Sequence, residues 1–136
     1  MKGNEMNSKV SAGARILMGL IFTIFGINGL IMIATGSGFI PMPPPSPEMG
    51  QVMGGFFAAK YLMPLVKILE VLAGLMLLRG CMVNLALILI APIVVNILGI
   101  HLFVDQGGLP MALALTVMFF ILFLDKKEHF ITFFKA

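Results

Sequence analysis

The sequence predicts an all-α membrane protein, a four-transmembrane-helix antiparallel bundle with a short amphipathic helix in its first outer loop. Three observations predict it. Of 136 residues, 60% are hydrophobic and only 11% charged, with a mean hydropathy of +1.07; a soluble domain needs far more charge to cover its surface. Four apolar segments are long enough, or nearly so, to cross a bilayer. The basic residues collect on one side of those segments, as cytoplasmic loops do.

The first segment covers 14–34 and contains RILMGLIFTIFGINGLIMIA. Its apolar run, about 19 residues, exceeds the 7–15 of a secretory signal core, so it reads as a retained span. The second covers 61–78, the third 83–104 and the fourth 109–124. At 1.5 Å per residue the first three reach about 27–33 Å and the fourth about 24 Å. The fourth then needs local thinning or little tilt. One domain is expected over 1–136.

Charge placement sets the expected orientation. Lys2, Lys9 and Arg15 precede segment one, Arg79 lies between segments two and three, and Lys126, Lys127 and Lys135 follow segment four. Glu48, Lys60 and Asp105 fall on the other side. Both termini are therefore expected in the cytoplasm, with the protein multi-pass in the cytoplasmic (inner) membrane. The net charge of +3 is a topology signal. No aromatic-interleaved basic patch points to nucleic acid.

The outer loop, 35–60, holds five prolines between Pro41 and Pro47, a stiff extended chain. Ser46-Pro47-Glu48 reads as a helix start: a capping hydroxyl, a proline for the first turn and an acid at the positive helix end. Met49, Val52, Met53, Phe56 and Phe57 then share one apolar face. That helix either tidies the loop against the membrane or covers an outward-facing pocket. The tail, 125–136, places Phe130, Phe133 and Phe134 at helical spacing beside lysines and reads as an interfacial anchor.

Chemistry is sparse. Cys81 is the single cysteine, so thiol–disulfide exchange has no CxxC to use. His101 and Asp105 are four apart at the outer end of segment three and suit an interfacial pair. His129 falls on the cytoplasmic side, so the two histidines cannot ligate one haem or metal within a chain; no metal site is expected, and no catalytic residue can be named.

Lys67 and Glu70 stand out. They share a face of segment two, where each costs roughly 2.5–3.5 kcal/mol on insertion at a helix centre. Counting rise from the cytoplasmic ends puts Asn28 and Asn96 about 20 Å up, Lys67 about 17 Å and Glu70 about 12 Å. Thr23 and Thr116 fall near Glu70. An antiparallel arrangement gathers Asn28, Lys67, Glu70 and Asn96 into one polar layer. That layer is either structural glue or a ligand or proton site. Gly19, Thr23 and Gly26 make a small-residue face opposite Asn28, expected to be free for another helix or protomer.

The segments ARILMGLIFTIFGINGL, LMPLVKILEVLAGLMLL and LILIAPIVVNILGIHLFVDQGGLP resemble the DoxX-like family of small bacterial and archaeal membrane proteins. The resemblance runs from Arg15 to Leu124 and is most specific at Ala91-Pro92, Asn96, His101-Leu102-Phe103 and Gly108–Pro110. It matches Glu70 to a recurrent glutamate in the second helix and Arg15 to a recurrent arginine opening the first. Some members carry a lysine where this chain has Gly29. The resemblance implies a four-helix bundle and an association with respiratory or thiol-stress redox complexes. From it and from the depth coincidence, the expected role is an accessory subunit of a membrane redox complex, binding a quinone or similar amphiphile. The ligand-binding candidates are Asn28, Lys67, Glu70, Asn96 and His101. A non-catalytic scaffold or homo-oligomer seamed at Gly19/Thr23/Gly26 is the alternative, and a small-solute transporter a third reading.

Overall fold

The computed structural model describes residues 2–135, with side chains from Asn7 to Lys135; the side chain of Lys2 lies outside the described residues. All regular structure among them is helical. In chain order the helices are α1 (Lys2–Thr35), α2 (Pro47–Ala58), α3 (Leu62–Arg79), α4 (Val83–Phe103), α5 (Leu109–Asp125) and α6 (Lys127–Phe133). A 3-10 turn, Gln106–Gly108, joins α4 to α5.

The first helix runs well beyond the expected start at Ala14. No proline interrupts Lys2–Val10, and lysine, glutamate and methionine there are good helix formers, so the helix continues through the polar stretch. Its 34 residues extend about 51 Å. At the other end, Thr35 Oγ1 donates to the Ile31 carbonyl at 2.8 Å and Gly36 takes a positive φ of 85°, which ends the helix.

Helix α2 starts where its residues dictate. Ser46 Oγ accepts from Met49 N at 3.2 Å, Pro47 occupies the first turn and Glu48 follows. Met49, Val52, Met53 and Phe56 are half-buried, whereas Gln51, Gly54 and Gly55 are exposed. Lys60, at φ 59°, turns the chain so that α2 and α3 meet at 92°. Helix α3 ends on Gly80 in the left-handed region (φ 67°), with Gly80 N donating to Leu77 O and Cys81 N to Met76 O. This is the glycine-terminated cap expected of a helix that must stop abruptly.

Helix α1 packs along α3, and α4 sits between α3 and α5, which also touches α1. The shared core includes Met18 and Phe22 of α1, Leu77 of α3, Leu87 and Ile90 of α4 and Leu122 of α5, all almost fully buried. The outward faces are just as apolar. Ile16, Leu20, Ile24, Ile27 and Ile31 form an exposed stripe on α1, and Leu65, Ile68, Leu72 and Leu75 another on α3. A helix surrounded by water carries its charges on that face; these helices suit hydrocarbon. Three stretches, Asn7–Thr35, Val83–Phe103 and Gln106–Asp125, are long and apolar enough to cross a membrane. Helix α3 holds Lys67, Glu70 and Arg79 within its 18 residues and reaches that standard only together with α2.

The aromatic tail divides. Phe130 of α6 folds back onto Phe123, with ring centroids 5.0 Å apart, and packs at the edge of the core. Phe133 and Phe134 remain exposed. Phe133 is the last residue of α6 and Phe134 its C-cap, so both rings lie at the helix end, past the Phe123 contact.

Candidate functional site

Helix α3 brings Lys67 and Glu70 together as three-residue spacing requires. Lys67 Nζ stands 2.8 Å from Glu70 Oε2 and 3.0 Å from Oε1, so one ammonium serves both carboxylate oxygens. Glu70 is only 4% exposed. A buried carboxylate in apolar surroundings is tolerated when a cation neutralises it, and Lys67 does so from its own helix. Gly29 of α1 makes the room: any side chain there would meet the methylenes of Lys67.

The pair borders a cavity of about 350 Å³ whose walls come from α2, α3 and α4. Met53 and Phe56 of α2 close one end, Val66 and Leu69 extend the α3 wall, and Pro92, Ile93 and Ile97 form the α4 wall. Lys67, Glu70 and Asn96 are the polar side chains in that lining. Two residues of the apolar face of α2, Met53 and Phe56, thus contribute to the cavity wall. Asn96 is itself exposed, and its Nδ2 donates a long bond to Pro92 O at 3.4 Å. Proline lacks an N–H, which removes one bond from the ladder of α4 at this level.

Two of the five ligand-binding candidates, Asn28 and His101, do not line this cavity. Asn28 is buried but does not line the cavity. Its Oδ1 accepts from Ile40 N at 2.9 Å, and Gly38 lies directly on its amide. Asn28 therefore ties the outer loop to α1. Rise along a helix fixes height but not rotation, so the height of Asn28 was right and its neighbours were not.

His101 likewise lies outside the cavity lining. Its ring packs on Gly108, and Nδ1 lies 2.7 Å from the Asp105 backbone carbonyl, so the expected pairing with Asp105 is a main-chain contact. The Asp105 carboxylate instead accepts from Gly107 N at 3.0 Å, starting the 3-10 turn. The α4–α5 turn thus engages His101 Nδ1 and the Asp105 carboxylate.

The small-residue face of α1 is also occupied. Gly19, Thr23 and Gly26 meet α3 of the same chain: Gly19 faces Gly74 and Leu78, Thr23 faces Gly74, and Gly26 faces Val71 and Glu70. The seam expected between protomers is an internal one, because α3 supplies a matching glycine. Thr23 Oγ1 is buried there with no hydrogen-bond partner among the described residues. Thr116 Oγ1 donates to its own helix, at Ala112 O, 2.8 Å away.

Arg15 has a role that charge counting did not show. Its guanidinium donates to Leu77 O and, at 3.3 Å, to Leu78 O, against the last turn of α3. Carbonyls of a last turn are short of donors from the following turn; Leu77 O also accepts from Gly80 N, and a cation suits the negative helix end. Matching the depth of Arg15 to that of Leu78 would have pointed to it.

No family model, curated protein or solved structure matches this chain. The chemistry of the site therefore rests on its own residues. Lys67 has three ammonium protons and Glu70 occupies two directions, so a third donor direction remains for an acceptor in the cavity. The rest of the wall offers dispersion contact. A molecule with an apolar body and one or two acceptor oxygens fits that pattern.

Proposed function

We propose that the chain is a four-helix antiparallel bundle of the DoxX-like type in the cytoplasmic membrane, with both termini in the cytoplasm. In this reading it is an accessory subunit of a membrane redox complex and holds a quinone or similar amphiphile between α2, α3 and α4. The observation that carries the reading is the Lys67–Glu70 pair bordering an otherwise apolar cavity. Lys67 donates to a carbonyl oxygen of the ligand, Glu70 orients that lysine and accepts or returns a proton, and Asn96 offers a second polar contact from α4. Met53 and Phe56 cover the ring. Asn28 serves by fixing the loop that leads into α2.

Native mass spectrometry of protein taken from the membrane in mild detergent tests this. The wild type is expected to retain a quinone-sized molecule, and the Lys67→Met/Glu70→Leu form to lose it. Recovery of bulk phospholipid alone from the wild type, or equal retention by both forms, would overturn the reading.

One observation favours a scaffold instead: both carboxylate oxygens of Glu70 already accept from Lys67 without any ligand. A scaffold predicts that the same double substitution leaves assembly with partner proteins unchanged and that the wild type carries no specific molecule.

A further inference from the structure

Lys67 and Glu70 are the two charged side chains in the lining of the cavity between α2, α3 and α4. They are bonded to each other, Lys67 Nζ standing 2.8 Å from Glu70 Oε2 and 3.0 Å from Oε1, so the lining as a whole carries no net charge. We infer that the cavity, read as above as an amphiphile site, selects its occupant by charge. It takes an uncharged head with an acceptor oxygen, such as a quinone, ketone or ester carbonyl, and rejects fatty acids and other anionic amphiphiles. Glu70 is the residue that sets this choice.

Depth supports this first. The rise of α3 from Leu78 to Glu70 is about 12 Å, Glu70 is buried and Lys67 half-buried. An ion brought to that level gives up its hydration, a loss that only an unpaired counter-charge repays. The lining has none. Both oxygens of Glu70 accept from Lys67, so the one cation there is already neutralised. Its spare proton still suits a carbonyl oxygen, which asks for a donor and not for a charge. The lysine is also held on that course, because its methylenes lie against Gly29 of α1. No other cation stands in. Lys60 and Arg79, at the two ends of α3, are outside the lining, and Asn96, its remaining polar side chain, is an uncharged amide. An anionic head would therefore leave the cavity with an uncompensated negative charge. Removing the carboxylate of Glu70 reverses the sign: the Lys67 ammonium is then the unpaired charge, and an anion becomes the favoured guest.

The experiment uses the full chain in a nonionic detergent with methyl palmitate and palmitic acid supplied together, in alkaline buffer where the acid is ionised. The two probes share one acyl chain and differ in charge, and native mass spectrometry reads the ratio retained. The wild type is expected to favour the ester by about tenfold or more, well within the cost of burying an unpaired ion. Glu70→Gln should invert the preference, and palmitate should raise the melting temperature of that variant but not of the wild type. Glu70→Asp, which keeps the charge, should keep the preference for the ester. Glu48→Gln removes an equal charge from an exposed position outside the lining and should behave as the wild type. Equal retention of both probes by the wild type, or preference for palmitate, would overturn selection by charge while leaving the cavity an amphiphile site. Retention of neither would overturn the amphiphile reading with it. An unchanged preference in folded Glu70→Gln, or inversion by Glu48→Gln, would take the choice away from Glu70. If Glu70→Gln does not fold, the wild-type competition and Glu70→Asp decide between these outcomes.

Discussion

Lys67 lies across Gly29: a Cβ at position 29 would fall 2.7 Å from Lys67 Cε and 2.9 Å from Cγ. Helix α1 thus gives up a side chain so that the lysine of α3 can lie flat and reach Glu70. Gly29→Leu should push Lys67 aside and lower stability by about 1–3 kcal/mol, the range of an overpacked contact. Thermal unfolding in detergent micelles measures it. In a Lys67→Ala background most of that loss should vanish. An equal loss in both backgrounds would show that position 29 acts through some other neighbour.

The ion pair itself separates by a double-mutant cycle. Lys67→Met strands a buried carboxylate and should cost about 3–5 kcal/mol, whereas Lys67→Met/Glu70→Leu should be close to neutral in stability. Urea-dependent unfolding in mixed micelles gives both numbers. If the losses of the two single variants simply add in the double, the residues are not coupled.

Gly74 faces Thr23 so closely that an added Cβ would stand 2.7 Å from Thr23 N and 3.0 Å from Gly19 O. Backbone atoms yield only by moving a whole helix. Gly74→Ala and Gly19→Leu should each lower the melting temperature while leaving the oligomeric state, read by light scattering after size exclusion, as it was. A changed oligomer with an unchanged melting temperature would place the α1 glycines between protomers instead.

Gly54 is the contrasting case. It is exposed on α2 and a Cβ there meets nothing within 4 Å. Gly54→Ala should stabilise α2 by about 0.5–1 kcal/mol through helix propensity and slow amide exchange across Pro47–Ala58. Faster exchange would mean that the glycine has a packing role.

Much of the fold was legible because it depends on composition and local signals. The apolar runs mark α1, α4 and α5, and Ser46-Pro47-Glu48 places the start of α2 correctly. The site was legible only in part. Lys67 and Glu70 had to pair because they share a turn of one helix. Asn96 reached their cavity, but Asn28 did not, because rotation about a helix axis is set by packing against neighbours. The same limitation left the partner of Gly19 and Gly26 open between another helix and another protomer: without knowing that Gly74 lies opposite, a small-residue stripe has no address.

The walls of the Lys67–Glu70 cavity come from α2, α3 and α4, with nothing from α1 or α5. It is accordingly a notch in the flank of the helices rather than a chamber on their common axis. For helices set in a bilayer, such a notch looks sideways into acyl chains, with Met53 and Phe56 of α2 at its border. An occupant then arrives by lateral diffusion from a two-dimensional pool, in which an oily molecule is already concentrated far above its level in water. For the amphiphile proposed above, modest intrinsic affinity would suffice to fill such a place, and the two charges would need only to choose which of many oily neighbours stays.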